Sequence, residues 1–360
     1  MSTEQVLLGI DENGLGPILG PLLVTGVAAS VSEAGAALVT KRTRGGLRAR
    51  LGDSKRIVAF GDTAQGEAWA RALFASLGHE AATPSDLLSL ALLDGPRAFR
   101  ALCPRDHHHQ CWSAEAEAFL APEAMVKKAR KDIERLARRG IVLSWVRSVV
   151  VCTKQLNEES RRGVSRFDTD LHAMERLILA ARDASPDRMQ VTCGKVGGYN
   201  RYDERFRLLD QHLRATVHES RARSTYALPH IGDISFVRDA EDAHMLVALA
   251  SLVGKYFRDL FMARVVRYHR AEQPELPEVS GYHDPITRRF IAASALVRKS
   301  RAHPDDCFAR IKVVVETPEK REKPEKKEPP RAGKAKVAAK ATRAASGSPQ
   351  RSRGARPRAD

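Results

Sequence analysis

The amino-acid sequence predicts an α/β fold with a mixed central β-sheet flanked by helices. Three observations predict it: short apolar runs of strand length, amphipathic segments of helix length, and the order of the two along the chain. Two apolar runs come first, and helices and strands then alternate, which indicates a mixed sheet with helices on its faces. The chain has 360 residues and 43% hydrophobic residues, enough for a sizeable core.

The predicted strands are short apolar runs that end at turn residues. The clearest of them is IVLSWVRSVVVCT at 141–153, because β-branched residues dominate it. A glycine-rich sequence, DENGLG, separates the first two runs and predicts a turn between paired strands. The predicted strands span residues 6–10, 21–30, 141–153, 189–193 and 234–237.

The predicted helices carry apolar residues at helical spacing. The strongest spans residues 240–268, where apolar residues form a wide stripe, and Asp239 stands where an N-cap acceptor belongs. Residues 94–122 contain no such pattern and are predicted to be a loop-like insertion. The other predicted helices span residues 61–77, 85–93, 123–139, 169–184, 201–214 and 285–299.

Basic charge is concentrated at the C-terminus. The chain carries a net charge of +16, and residues 317–360 alone hold fourteen Lys and Arg against five acidic residues. Such a composition cannot bury enough apolar area to offset its ordering entropy. We therefore predict one domain at 1–316 and a disordered basic tail at 317–360. The tail would either hold phosphate backbones in a salt-dependent way or only keep the chain soluble.

Cysteine usage and hydropathy indicate a reducing compartment. The five cysteines are odd in number and widely spaced, unlike a disulfide framework. No apolar stretch approaches the ~20 residues of a membrane span. Charged residues near the N-terminus interrupt any signal-peptide core. We expect a cytoplasmic, monomeric protein that does not contact membranes.

The segment CPRDHHHQC at 103–111 contains the residue types that bind zinc. Neither of its cysteines has a second cysteine two to four residues away, as the common zinc modules require. The spacing therefore favours a His-rich loop over a structural zinc site.

Two adjacent carboxylates, Asp11 and Glu12, follow the first apolar run. Neighbouring side chains of a regular strand point to opposite faces, so both can serve one site only where the strand ends or is distorted. Gly14 and Gly16 supply backbone freedom and let a ligand approach closely. Carboxylate oxygens are the ligands that Mg²⁺ and Mn²⁺ prefer, which makes a metal site one interpretation. A surface turn with two solvated acids is the other.

Five short motifs, in order along the chain, resemble those of ribonuclease HII, the type 2 ribonuclease H. GIDENGLGPILGPLLVTGVA at 9–28 is similar to the family's G-I-D-E-A-G-R-G-P opening, and DSK at 53–55 matches its D-S-K motif. A helix and strand ending in VTCG resemble the segment that ends in V-D-G. ALASLVGKYFRD and SGYHDPITRRF are similar to two later motifs. The resemblance covers about residues 5–293, except the insertion, and implies a ribonuclease H-like fold.

The resemblance implies a metal-dependent endonuclease that cleaves RNA in RNA–DNA duplexes, including single ribonucleotides embedded in DNA. The family uses Mg²⁺ or Mn²⁺ held by four acidic residues. Asp11 and Glu12 match the first two of these. Glu241, counted back from Arg258-Asp259, matches the fourth. Without the resemblance, acids at this position are more simply explained as complementing a helix dipole.

The third acid of the family is replaced here by Cys193. A thiolate is a poor ligand for Mg²⁺, and an ordinary cysteine is mostly protonated at neutral pH. The chain thus resembles a divergent member, and Asp168 or Asp170 is a candidate replacement ligand. One alternative is a degenerate paralogue that binds hybrid or structured nucleic acid without cleaving it. Another is a nuclease of altered substrate choice, whose insertion reshapes the groove.

The resemblance also places substrate contacts on five residues. The turn Gly14-Leu15-Gly16, where Leu15 replaces the family's Arg, would contact the ribose 2′-hydroxyl through backbone groups. Tyr282 would stack on the sugar beyond the RNA–DNA junction, and Lys55 would contact a phosphate. A packed aromatic ring and a solvated lysine are the simpler alternatives for the last two.

Overall fold

One seven-stranded mixed sheet lies at the centre of this computed structural model, which describes residues 5–43, 45–51, 61–105, 109–114, 117–185 and 187–311. The strands are β1 (Gln5–Asn13), β2 (Leu22–Val31), β3 (Ile141–Val151), β4 (Met189–Gly194), β5 (Ala215–Glu219), β6 (Arg223–Leu228) and β7 (Gly232–Val237). They are ordered β3-β2-β1-β4-β7-β6-β5. β1, β4 and β7 run parallel, whereas the other neighbours pair antiparallel. The predicted mixed α/β sheet is confirmed.

Helices cover both faces of the sheet. They are α1 (Glu33–Val39), α2 (Gly45–Arg48), α3 (Ala64–Ser76), α4 (Pro84–Ala91), α5 (Gly95–Arg100), α6 (Glu123–Arg138), α7 (Thr153–Arg161), α8 (Arg166–Ala184), α9 (Ala240–Ala243), α10 (Met245–Arg270), α11 (Pro285–Ala293), α12 (Ala295–Ser300) and α13 (Asp305–Phe308). The long helix α10 packs on one face beside α3, and α8 packs on the other. No helix among the described residues is long and apolar enough to cross a membrane.

The alternation of β1 divides the core into two layers. Val6, Leu8 and Ile10 are buried in the layer that contains α8, while Leu7 is buried in the layer that contains α10. This is the period of two that a strand buried on both faces requires. The same alternation assigns Asp11 to the α10 face and Glu12 to the α8 face.

Two glycines let α10 lie directly against the sheet. A Cβ on Gly9 of β1 would be 2.4 Å from the backbone carbon of Leu246 and from the backbone nitrogen of Val247. A Cβ on Gly254 of α10 would be 2.7 Å from Asn13 Nδ2 and 2.9 Å from Thr25 Oγ1. Only glycine fits at either position, so helix and strand approach backbone to backbone.

A third apolar cluster holds the C-terminal helices against the end of α10. Met262, Val265, Phe290 and Phe308 are buried in it. His269 lies among these aromatic rings, with centroid distances of 5.5 Å to Phe290 and 5.2 Å to Phe308. This cluster fixes the position of the chain that follows α13.

The helix predicted at 240–268 is two helices. α9 ends at Ala243, the backbone becomes extended at His244, and α10 then begins at Met245. The predicted N-cap role of Asp239 is wrong, because Asp239 has a left-handed conformation with φ of 53° and makes no side-chain cap hydrogen bond. The break separates Glu241 from the long helix.

The helix predicted at 201–214 is also wrong. The chain there forms two 3₁₀ turns, Asp203–Arg205 and Leu209–Gln211. The carboxylate of Glu175, which is completely buried in α8, accepts hydrogen bonds from the backbone N–H groups of Arg207, Leu208 and Leu209. These bonds satisfy donors that a regular helix would have used. β5, which is largely exposed, and β6 follow without having been predicted.

The insertion at 94–122 is more ordered than predicted. It contains α5 and a 3₁₀ helix, Gln110–Trp112. The rings of Phe99 and Trp112 pack on Phe261 of α10 at centroid distances of 5.9 Å and 6.4 Å.

The predicted helix at 285–299 divides at Ser294 into α11 and α12. The predicted tail at 317–360 lies outside the described residues and stays a prediction.

Replacing Gly9 with alanine should destabilise the fold. Removing a glycine lowers the entropy of the unfolded chain, which stabilises by about 0.4–1 kcal/mol. The methyl group would collide with backbone atoms of α10, and such overpacking costs about 1–3 kcal/mol. We expect a net loss of stability in urea unfolding. Gly198→Ala is the control, since nothing lies within 4 Å of its Cβ position. An equal stability of the two variants would contradict this packing.

Stability should fall between neutral and mildly acidic pH because of His269. Burial lowers the pKa of His269 to about 4, and its Nδ1–H donates to the carbonyl of Val265 at 2.8 Å. Below the unfolded pKa of 6.5 the unfolded chain binds a proton that the folded chain refuses. The loss should reach about 3 kcal/mol as pH approaches the folded pKa.

The measurement compares the free energy of unfolding at about pH 7 and pH 5 for wild type, His269→Phe and His218→Gln. The first variant should depend less on pH than wild type. His218 is exposed, so its variant should behave as wild type does. An unchanged pH dependence in His269→Phe would show that another group carries the effect.

Candidate metal and nucleic-acid site

A cavity of about 950 Å³ opens where β1 and β4 end. Its walls come from the glycine turn after β1, the chain after β4, α9, the first half of α10 and the loop before α11. Asp11, Glu12, Gly14, Leu15, Gly16, Glu241 and Tyr282 all line it. Seven of the nine predicted site residues therefore lie around one space. Lys55 lies outside the described residues, and Cys193 is buried behind the wall.

Asp11 and Glu12 reach this cavity together because β1 loses one neighbour. β1 pairs with β4 only as far as Ile10 opposite Cys193, but it pairs with β2 as far as Asn13. The next residue of β4 is Gly194, whose Cβ position would be 2.8 Å from Asp11 Oδ1 and 3.6 Å from Glu12 Oε2. The strand is therefore open on one side rather than distorted, and both carboxylates converge over the missing side chain.

Asp170 lies beneath the acidic pair on the α8 side of the sheet. It is completely buried, and neither of its carboxylate oxygens has a hydrogen-bond partner. Burial raises the pKa of Asp170 well above its usual value, and the charges of Glu12 and Asp11 raise it further. A buried carboxyl group without a partner is costly. Its oxygens are therefore available to a ligand at this end of the sheet.

Asp168, the other candidate replacement, is already bonded. Its carboxylate accepts hydrogen bonds from Ser165 Oγ at 2.7 Å, Tyr199 Oη at 3.0 Å and Arg205 Nη1 at 3.1 Å. These contacts outweigh its partial burial and lower the pKa of Asp168. Of the two candidates, only Asp170 has unused oxygens.

Cys193 does not replace the expected acid chemically. Its side chain is completely buried in the α8 layer of the core. Burial raises the pKa of the Cys193 thiol, and the nearby charges of Asp170 and Asp11 raise it further. The group is therefore a protonated thiol at neutral pH.

Glu241 lines the same cavity as the pair. It lies in the short helix α9, which the break at His244 orients independently of α10. Glu241 is half-buried, and the exposed Asp239 lines the same wall. In the continuous helix that the sequence predicts, Asp239 and Glu241 would have been positioned by α10 itself.

The glycine turn is held from behind by two buried arginines. Gly14 has φ of +92°, and a Cβ on it would be 2.5 Å from Arg258 Nε, so both its conformation and its contact require glycine. Arg310 donates to the carbonyl oxygens of Gly14 at 2.6 Å, Leu15 at 3.3 Å and Gly20 at 2.7 Å. With its carbonyls occupied from the protein side, the turn is fixed in place.

Leu15 and Tyr282 take different positions around this turn. Leu15 is half-buried and packs against the α8 layer of the core, which explains an apolar residue where the resemblance expects Arg. Tyr282 is 47% exposed, and the guanidinium carbon of Arg258 lies 5.0 Å from its ring centroid. The Tyr282 ring thus offers a free face, oriented by a buried cation.

The rim contains basic residues that the sequence analysis did not identify. Lys195, Arg221 and Arg238 line the cavity from the end of β4, the β5–β6 turn and the end of β7. Arg221 and Arg238 are exposed. The only sequence signal was the basic turn SRAR, which falls between strands that were not predicted. Carboxylates at the centre of the cavity suit a divalent metal ion. Basic residues at its rim suit an anionic polymer such as a phosphodiester chain.

The residues around the pair fit a hard divalent cation by donor type. The acidic side chains at the centre offer carboxylate oxygens, which hard divalent cations prefer, and the oxygens of Asp170 have no hydrogen-bond partner. Within the described part of the chain, however, no three His, Cys, Asp or Glu side chains already surround one point as metal ligands would. A coordination shell is therefore not preformed, and the buried Asp170 is not among the residues that line the cavity.

Comparisons with known proteins find similarity of structure. The PCNA–RNase HII complex from Archaeoglobus fulgidus shares 16% identity at a TM-score of 0.40, covering 85% of this chain and 94% of that chain. The ribonuclease H2 from Pyrococcus horikoshii OT3 shares 14% at 0.41, covering 84% and 92%. Bst-RNase HIII in complex with Mn²⁺ shares 16% at 0.39, covering 85% and 66%.

No protein-family model matches the sequence, and no curated protein matches it. At these identities and TM-scores the likeness supports no statement about activity. The order and directions of the first four strands and β7 are those of the ribonuclease H-like fold, so the predicted fold class is confirmed.

Proposed function

We propose that the chain is a metal-dependent endonuclease that cleaves the RNA strand, or single embedded ribonucleotides, of RNA–DNA duplexes. The observation that carries this proposal is the convergence of Asp11 and Glu12 over Gly194, in a cavity shared with Glu241 and the glycine turn. The motif order of the sequence supplies the substrate class. The basic rim supports an anionic substrate.

The metal would be Mg²⁺ or Mn²⁺, held by Asp11, Glu12 and Glu241. When bound, such ions activate water and stabilise the leaving oxygen of a phosphodiester. The chain itself positions the substrate. The braced turn at Gly14 and Gly16 offers backbone groups to the ribose, and Tyr282 offers a ring face to the neighbouring sugar.

We further propose that Asp170 supplies the carboxylate that is missing at position 193. Three observations support it. Asp170 is completely buried, and its oxygens have no hydrogen-bond partner. The charges of Glu12 and Asp11 also raise the pKa of Asp170. A metal ion beside the pair would neutralise this repulsion. A third acid would then reach the site from α8 rather than from β4.

Removing one carboxylate of the pair should abolish cleavage. Asp11→Asn keeps the size of the side chain but halves the charge of the pair. Since even outer-shell changes at metal sites cost about 10–100-fold, we expect at least a hundredfold loss of the cleavage rate. The substrate is a DNA duplex with one embedded ribonucleotide, assayed with Mg²⁺ or Mn²⁺. The exposed Asp187→Asn is the matched control and should cleave as wild type does.

Binding of this duplex by wild type without cleavage in either metal would overturn the enzyme proposal. It would support the degenerate paralogue instead, an alternative favoured by the thiol at position 193. Equal cleavage by wild type and Asp11→Asn would remove Asp11 from the site.

Asp170→Asn should also abolish cleavage while leaving the fold intact, because it replaces a buried, unpartnered carboxyl group with an amide of the same shape. Adding Cys193→Asp to this variant should restore part of the activity, since it returns an acid to β4. Circular dichroism and urea unfolding verify the fold of each variant. Full activity of Asp170→Asn would contradict the role of Asp170, and it would leave the proposal for Asp11 and Glu12 standing.

A further inference from the structure

Four of the five cysteines converge on one small cavity away from the acidic site. Cys103 follows α5, Cys111 lies in the 3₁₀ helix of the insertion, Cys152 is the N-cap residue of α7 and Cys307 lies in α13. All four line a cavity of about 30 Å³. None of them forms a disulfide. Only Cys193 is elsewhere, so three distant segments of the chain bring four cysteines to the same cavity.

The four thiols oppose one another's ionisation. The pKa of Cys152 is raised to about 11 and that of Cys307 to about 12; burial is the largest cause in both, and the neighbouring Cys103 contributes. Burial likewise raises the pKa of Cys111, and the other three cysteines add to the effect. In the absence of a cation these groups are therefore thiols. A bound metal ion would reverse this, because a coordinating thiol is deprotonated.

We propose that Cys103, Cys111, Cys152 and Cys307 together bind one structural Zn²⁺ ion. Four sulfur ligands match the tetrahedral preference of zinc in structural sites. Soft thiolates select zinc over Mg²⁺ or Mn²⁺. A cavity of about 30 Å³ has room for a single ion.

The sequence spacing argued against zinc because Cys103 and Cys111 lack near partners in the chain. The fold supplies those partners from the start of α7 and from α13. Among the described residues the sulfurs do not surround one point at ligand distance, so the cysteines must move to complete the shell. Every thiol that binds releases its proton, and four thiolates with Zn²⁺ leave a net charge of −2. The charges of Lys154, Arg100 and Arg264 act on these cysteines and offset it.

The ion would hold the insertion to the segment that braces the glycine turn. Gln110 Nε2 already donates to the carbonyl of Cys307 at 2.9 Å. Asn157 of α7 donates to the carbonyls of Asp306 at 3.0 Å and Ala309 at 2.9 Å. Arg310 follows directly and donates to the turn. A zinc ion bound by Cys307 would therefore help to hold Arg310 in place against the glycine turn.

The test measures metal in the full-length protein, purified reduced and without chelator. We expect elemental (inductively coupled plasma) mass spectrometry to find about one zinc ion per chain. Removal of the zinc by a chelator should lower the thermal stability of the protein. Replacing zinc with cobalt should give the visible absorption of a tetrahedral cobalt–thiolate centre. Thiol alkylation of the native protein should spare all four cysteines with metal and label them more readily without it.

Cys152→Ser and Cys307→Ser should each lower the zinc content at least tenfold, while Cys193→Ala, the one cysteine outside the cluster, should retain it. A folded, reduced wild type that binds neither zinc nor cobalt overturns the proposal. Disulfides among the four cysteines without metal also overturn it, in favour of a redox pair. Loss of zinc in the Cys193 variant would show that the ligands are assigned wrongly. The cobalt and alkylation results need no variant to fold.

Discussion

The close approach of α10 to β1 and β2 is the constraint on which the rest of the structure depends. Gly9 and Gly254 remove the two side chains that would separate them. The helix therefore reaches the strand that carries Asp11, and it brings Lys255 and Arg258 to the same cavity wall. The glycine turn then packs on Arg258, and the loop with Tyr282 packs on the other side of that arginine. A wider separation would disconnect every one of these contacts.

The chemistry at the end of β1 is governed by repulsion between carboxylates. Asp11 and Glu12 share the space above Gly194, and the completely buried Asp170, whose oxygens accept no hydrogen bond, lies beneath them. Such an arrangement costs stability in the absence of a cation. Structures that retain this cost usually retain it for function, because a packed apolar side chain would stabilise the fold more.

Much of the fold was predictable because its strands and long helices are strongly patterned. The runs at 6–10, 21–30 and 141–153 became β1, β2 and β3 with changes of a few residues at their ends. The failures have physical causes. At 201–214 a carboxylate distant in sequence, Glu175, took the backbone donors, and no local pattern reports such a contact. β5 is largely exposed, so hydrophobic periodicity does not mark it.

The candidate site was predictable where it depends on local motifs and not where it depends on convergence. The pair at 11–12, the glycine turn and Tyr282 stand in short recognisable segments. Arg310, Lys195 and the partners of Cys103 come from distant segments, and only the fold brings them near. The sequence offered both Asp168 and Asp170 as replacement ligands. Only the structure distinguishes them, because it shows that the carboxylate of Asp168 is already hydrogen-bonded.

The bonds from Arg310 to the glycine turn set an order for folding on the ribosome. β1, β2 and β3 pair within the first half of the chain, so a nascent sheet can form while later residues are still being synthesised. The turn between β1 and β2 carries carbonyls that accept hydrogen bonds from the guanidinium of Arg310, at the far end of the domain. The turn can therefore reach its final form only after residue 310 has left the ribosome. In a partly synthesised chain the turn beside the acidic pair would lack its bonds to Arg310. The site would therefore reach its final geometry only when the domain is complete.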